Sequence, residues 1–116
     1  MDDLKTTQID CCKHYGADAN FIRDDQLIVI SKGIYEGKTP VEGVRYPSPN
    51  HMTGWWLTTD EYDGNTESLQ TVHSYHVCEK RPDLAIYLAL PFGFRFNLGG
   101  TEEYVWYDED VGSESV

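Results

Sequence analysis

An imidazole beside a carboxylate is the commonest side-chain pair for moving protons. This chain offers His51, His73 and His76 as imidazoles, and Asp60, Glu61 and Asp63 as carboxylates crowded into one short stretch. Converging in a pocket, they could do acid–base work, which defines one class of function, a small enzyme. The motifs that support such chemistry do not occur. There is no Gly-rich phosphate loop, no nucleophile elbow and no zinc signature, and no serine stands in a nucleophile context. No catalytic residue and no cofactor site is assigned.

The same residue types raise the question of metals. His73 and His76 are three apart, which puts them on one face if the segment is helical. The zinc-protease motif needs histidines four apart with a glutamate between them, and neither condition holds. Cys11 and Cys12 are adjacent and Cys78 is distant, so the chain lacks the four ligands of a closed zinc site at workable spacing. An odd number of cysteines at these spacings is not a secreted disulfide framework. Buried, reduced thiols are expected, since free cysteine behaves as a small hydrophobe. Asp60-Glu61-Tyr62-Asp63-Gly64-Asn65 faintly resembles a calcium loop, without the full ligand series or the distal bidentate glutamate. It is read as a solvated loop, and no metal ligand is assigned.

The element that must position these groups is Thr53-Gly54-Trp55-Trp56-Leu57-Thr58-Thr59, a β-branched and aromatic run bounded by loops. Side chains alternate faces along a strand. Trp55, Leu57 and Thr59 then share the core face, and Trp56 and Thr58 the other. Gly54 marks a bulge or a close backbone approach.

Around this strand the chain reads as α+β, a mostly antiparallel sheet with a few short helices packed on one side. Asp2 to Tyr15 is a first helix, its acids and bases placed to suit the helix dipole, with Gly16 as terminator. A polar connector runs to Asp25, with Phe21 and Ile22 available to the core. Leu27-Ile28-Val29-Ile30 is a strand covered on both faces. Val41 to Tyr46 is a second strand, expected to form a hairpin with it. Pro47-Ser48-Pro49-Asn50 makes a loop before the Trp strand. Leu69 to Val72 is a short strand, and Ser74 is placed to cap a helix running to Lys80. Asp83 is placed to cap a buried helix from Leu84 to Leu90, which Pro91 stops. Phe92, Phe94 and Phe96 line one face of the next strand, and Tyr104 to Tyr107 forms the last. The 116 residues are one domain's worth, with residues 1–26 as N-terminal helix and connector and residues 108–116 as a loose acidic tail.

Formal net charge is −11. Its distribution says more than its sum. No Lys or Arg lies between Arg45 and Lys80, where Asp60, Glu61, Asp63, Glu67 and Glu79 sit, and none follows Arg95. Phosphate neutralisation needs Lys and Arg, so neither nucleic acid nor an anionic membrane is an expected partner. A basic protein is the natural one. No apolar run reaches the ~20 residues of a spanning helix, and the first residues lack an apolar leader core, so a cytoplasmic location is expected.

From Leu27 onward an ordered set of motifs appears: Ile30-Ser31-Lys32, Thr39-Pro40-Val41, Thr53-Gly54-Trp55 and Leu88-Ala89-Leu90-Pro91-Phe92-Gly93. In order and spacing, over roughly residues 27 to 98, the chain resembles the immunity protein 33-like domains of bacterial polymorphic toxin systems. Thr53 stands where that family has serine, and Arg45-Tyr46 where it has the reverse pair. The resemblance implies a cytoplasmic protein that binds and neutralises a cognate toxin without catalysis. The other classes, a small enzyme and a housekeeping interaction module, remain open from the residues alone.

If the chain is a binder, the loop after the Trp strand is the expected recognition site. Asp60, Glu61 and Asp63 would supply charge, and Trp56 and Tyr62 the apolar anchors that tend to dominate binding energy. The competing reading is a plain solvated acidic turn.

Overall fold

The computed structural model describes residues 2–99 and 103–112. The fold is α+β. Among the described residues, strands β1 (Leu27–Ile30), β2 (Val41–Arg45), β3 (Met52–Thr59), β4 (Gln70–His73), β5 (Phe94–Leu98) and β6 (Tyr104–Tyr107) form one sheet in the order β4-β1-β3-β2-β5-β6. Helices α1 (Asp2–His14), α2 (Ser74–Lys80), α3 (Pro82–Ala85) and α4 (Glu109–Gly112) complete the fold. Every pairing is antiparallel except that of β1 with β3.

That exception corrects the expected hairpin. β2 pairs with β3 and β5, and β3 lies between β1 and β2. The reason lies in composition. β1 is apolar on both faces, and Ile28, Val29 and Ile30 are all buried, which suits the interior strand of a sheet with a parallel neighbour, here between β4 and β3. The ten residues from Ser31 to Pro40 are long enough to carry the chain past β3, and Ile34 anchors them in the core at 0% exposure. β3, at eight residues the longest strand, holds a partner on each edge.

Strand alternation sets the two faces. Ile28, Ile30, Val41, Trp55, Leu57 and Phe96 point to one side and form a core with Cys12, Val77, Leu84 and Leu88 from the helical side. Gly43 is required there because the Phe96 ring lies against its Cα, where a Cβ would collide with it. α1 behaves as a narrow stripe: Gln8 and Cys12 are buried, and Gln8 donates from Nε2 to the Ala85 carbonyl at 2.9 Å.

Four local expectations change. Ser74 does not cap α2; it is the first helical residue, and its hydroxyl donates to the Arg23 carbonyl. Asp83 sits inside the first turn of α3, where its carboxylate takes two hydrogen bonds from Arg81, at 3.1 and 3.0 Å, and the regular helix ends at Ala85. The residues to Leu90 continue as turns in which Tyr87, Leu88, Ala89 and Leu90 are nonetheless buried. Phe21 stays 40% exposed under the Lys5 ammonium, and Ile22 takes the inward position. Finally, Asp108 to Gly112 is folded: Val111 is buried, and α4 lies against β2. The rest of the expected acidic tail, residues 113–116, lies outside the described residues.

Candidate interaction surface

The Trp strand enters the sheet through a bulge. Between Leu27 and Val29 β1 has one residue, where β3 has three between their partners Met52 and Trp56. Gly54 makes this possible. Its φ is +89°, and the space a Cβ would occupy is taken by the Tyr46 carbonyl oxygen. The Thr53 hydroxyl ties the bulge together, donating to the Leu27 carbonyl at 3.0 Å and accepting from the Trp55 N–H at 3.1 Å. A serine hydroxyl could make the same two bonds.

Past the bulge, alternation resumes. Trp55 is 0% exposed and Trp56 37%. The Trp55 indole N–H donates to the Leu88 carbonyl at 2.9 Å, so its one polar atom is satisfied. Beside it lies Arg45, a buried guanidinium that donates to the carbonyls of Thr53 (2.7 Å), Asn20 (2.8 Å) and Leu90 (2.7 Å). It stacks 4.8 Å from the Phe92 ring centroid. Burial pulls its pKa down to about 10, with the Cys12 thiol working the other way, and it remains charged at neutral pH.

Trp56 belongs to the opposite face. The strand register builds a row across the whole sheet there: Thr71, Val29, Trp56, Val44, Arg95 and Trp106. A second row holds Thr58, Glu42, Asn97 and Tyr104. Trp106 is 39% exposed and Tyr104 53%. The Arg95 guanidinium lies 5.4 Å from the Trp106 ring centroid and makes a 3.1 Å ion pair with Asp108. The Arg95 hydrogen bond holds the Asp108 carboxyl below its ordinary range. Glu42 stands farther off, 3.9 Å from the same guanidinium, with about half its side chain exposed.

The expected loop site is brought together only in part. Trp56 takes Tyr46 as its ring partner, at 6.1 Å and near-perpendicular. Asp60 borders a shallow hollow with Glu42, Thr58 and Asn97, on the same face as Trp56. Glu61 turns toward Lys38, 3.9 Å away. Tyr62 is half-buried, its N–H donating to the Thr59 carbonyl at 3.0 Å. Asp63 is engaged locally, accepting the Asn65 N–H at 2.9 Å.

The candidate acid–base residues do not converge. Leu27 is paired with both His73 and Met52, so His51 and His73 lie at the start of β3 and the Asp60–Asp63 loop at its end. A strand of eight residues separates them by roughly 20 Å or more. His73 precedes α2 as its flanking residue, and its ring lies 6.2 Å from that of His76. Among the described residues, no three His, Cys, Asp or Glu side chains gather as a metal site would require.

Two features escaped the sequence reading. One is the β5–β6 half of the open face; its signal was the alternation of Tyr104 and Trp106 with Val105, and Arg95 between two phenylalanines. The other is a groove of about 340 Å³ between the end of α1 and the Tyr87 turn, lined by Cys11, Tyr15, Tyr87 and Glu103 among others. There Tyr15 donates to Glu103 at 2.9 Å, and burial followed by that carboxylate pushes the Tyr15 hydroxyl up to about 12. Burial, then Cys12 and Glu103, pushes the Cys11 thiol up to about 11, which leaves it protonated and unreactive at neutral pH. Cys12 alone of the three cysteines is fully buried; all three are free thiols.

The sheet thus has one face packed by helices, while the other presents Trp56, Trp106, Glu42 and Asp60. The chain belongs to the Imm33-like domain family, whose model matches residues 7–108. No curated protein and no solved structure matches it. No helix among the described residues is long and apolar enough to cross a membrane.

Proposed function

We propose that this protein is an immunity protein that neutralises a cognate bacterial toxin by binding it in the cytoplasm, without catalysis. The observation that carries this reading is the family match across residues 7–108. A net charge of −11 suits a basic partner. The aromatic residues of the open face suit the anchoring role that aromatics play in protein interfaces. The binding site on this reading includes Trp56 with the Asp60, Glu61, Tyr62 and Asp63 loop.

Affinity capture on the purified protein from its native host, followed by growth rescue, tests the reading. The expected result is a stoichiometric partner whose expression alone arrests growth and whose effect co-expression of this protein relieves. A partner that is harmless alone would point to a housekeeping module instead. Reversing Asp60, Glu61 and Asp63 to Lys should slow association and flatten its salt dependence, while Trp56→Ala should mainly speed dissociation. Unchanged rates in the folded triple variant would remove the loop from the site.

A further inference from the structure

Among the described residues, the open face carries two exposed indoles, and only one of them has a cation. Trp106 has Arg95 above it at 5.4 Å. Trp56 sits three strands away in the same cross-strand row, about 14 Å at ordinary strand spacing. Its ring partner is the edge-on Tyr46, and it keeps 37% of its surface exposed.

A carboxylate stands where a cation on Trp56 would need one. Glu42 pairs with Thr58, and Val44 with Trp56, so Glu42 is the diagonal neighbour of Trp56 on the open face. Such neighbours lie about 7–8 Å apart, within reach of one long side chain. Arg95 does not use Glu42 up: its hydrogen-bonded ion pair is with Asp108 at 3.1 Å, and Glu42 lies beyond hydrogen-bond distance at 3.9 Å. Asp60 adds a second carboxylate across the hollow that Glu42, Thr58 and Asn97 line.

From this we infer that Trp56 and Glu42 form a receptor for an arginine side chain of a basic partner protein, the guanidinium stacking on the indole while pairing with the carboxylate. Arg95 on Trp106, with Asp108 beside it, is the same arrangement made by the chain on itself. Guanidinium suits such a site better than ammonium, because its plane stacks while its N–H groups bind carboxylate. A second copy of this chain is a poor occupant, since a two-fold contact through this face would bring Glu42 and Asp60 toward their own counterparts. Phosphate-bearing partners meet the same repulsion. That the arginine belongs to a toxin rests on the function proposed above; the chemistry of the site does not.

The test is an NMR titration of the full ¹⁵N-labelled chain with a capped tri-arginine peptide. The Trp56 indole N–H and the amides of Glu42, Val44 and Thr58 should move, and the buried Trp55 indole should stay. Trp56→Leu, which keeps an apolar side chain without a π face, and Glu42→Gln should each weaken binding by about fivefold. Trp56→Phe should retain part of it, and Glu79→Gln, on α2 at the helical side of the sheet, should bind like the parent. Shifts confined to the Asp60–Asp63 loop or to Asp108–Asp110, or equal binding by Glu42→Gln, would overturn the site. If peptide binds here while host capture yields no toxin, the function fails and the site stands. If a captured toxin binds Trp56→Leu and Glu42→Gln as tightly as the parent, the function stands and the site fails.

Discussion

Arg45 and Trp55 face each other as direct cross-strand partners, and the guanidinium lies 5.8 Å from the indole centroid. The two largest fully buried side chains of the sheet are therefore neighbours, and one of them is charged. Both reach the turn after α3, Trp55 through the Leu88 carbonyl and Arg45 through that of Leu90. The pair thus fastens the Trp strand to the segment that closes the core. Arg45→Ala would strand three carbonyls, those of Thr53, Asn20 and Leu90, and is expected to cost on the order of 3–5 kcal/mol. Urea unfolding measures it; a loss below about 1 kcal/mol would mean that water replaces the guanidinium.

The adjacent tryptophans should behave oppositely. Trp55→Ala removes a fully buried indole and is expected to cost about 3–5 kcal/mol, a large share of the stability of a domain this size. Trp56→Ala should cost about 1 kcal/mol or less, as for other half-exposed positions. Thermal melts of the two variants decide the matter, and the reverse order would show the faces to be exchanged.

Gly54→Ala tests the bulge. A positive φ disfavours alanine, and its methyl would run into the Tyr46 carbonyl oxygen. A cost of at least about 2 kcal/mol is expected. Gly64→Ala is the control, because that glycine also has positive φ, +87°, but open space around it. The difference between the two variants in denaturant midpoint isolates the close approach from the backbone preference.

Acid should weaken the fold through Asp83 and Asp108. Both carboxyls are held below the ordinary 3.8, first of all by hydrogen bonds from Arg81 and Arg95 respectively. A folded value below the unfolded one gives stability that is present above 3.8 and lost as pH falls through the lower folded value. Solvent screening keeps the Asp83 share small, since 60% of its side chain is exposed. Urea midpoints followed downward from about pH 6 should drop more steeply below about pH 4 in the parent than in Asp83→Asn/Asp108→Asn. Parallel curves would show that neither pair contributes.

Local pattern was enough to place most elements. Period-two alternation located the Trp strand, sent Trp55 inward and Trp56 outward, and marked Gly54 as special, because a strand's side-chain direction follows from its backbone alone. The continuous apolar run at Leu27–Ile30 announced a strand covered on both faces for the same reason. The ordered motifs after it identified the family, which depends on residue order and not on packing.

Strand partnership was decided elsewhere. Residues 27–46 permit β1 to accept β3 in parallel but do not select it, since the choice depends on Ile34 reaching the core and on β3 serving two neighbours. The capping residues misled for a related reason. The Ser74 hydroxyl and the Asp83 carboxylate found stronger or nearer partners in Arg23 and Arg81. The open face is the clearest case: Trp56, Val44, Arg95 and Trp106 are spread over more than sixty positions of sequence and become one row through register alone. Side-chain chemistry is written in the chain one residue at a time, but adjacency across strands is set by hydrogen-bond pairing, which only the folded sheet supplies.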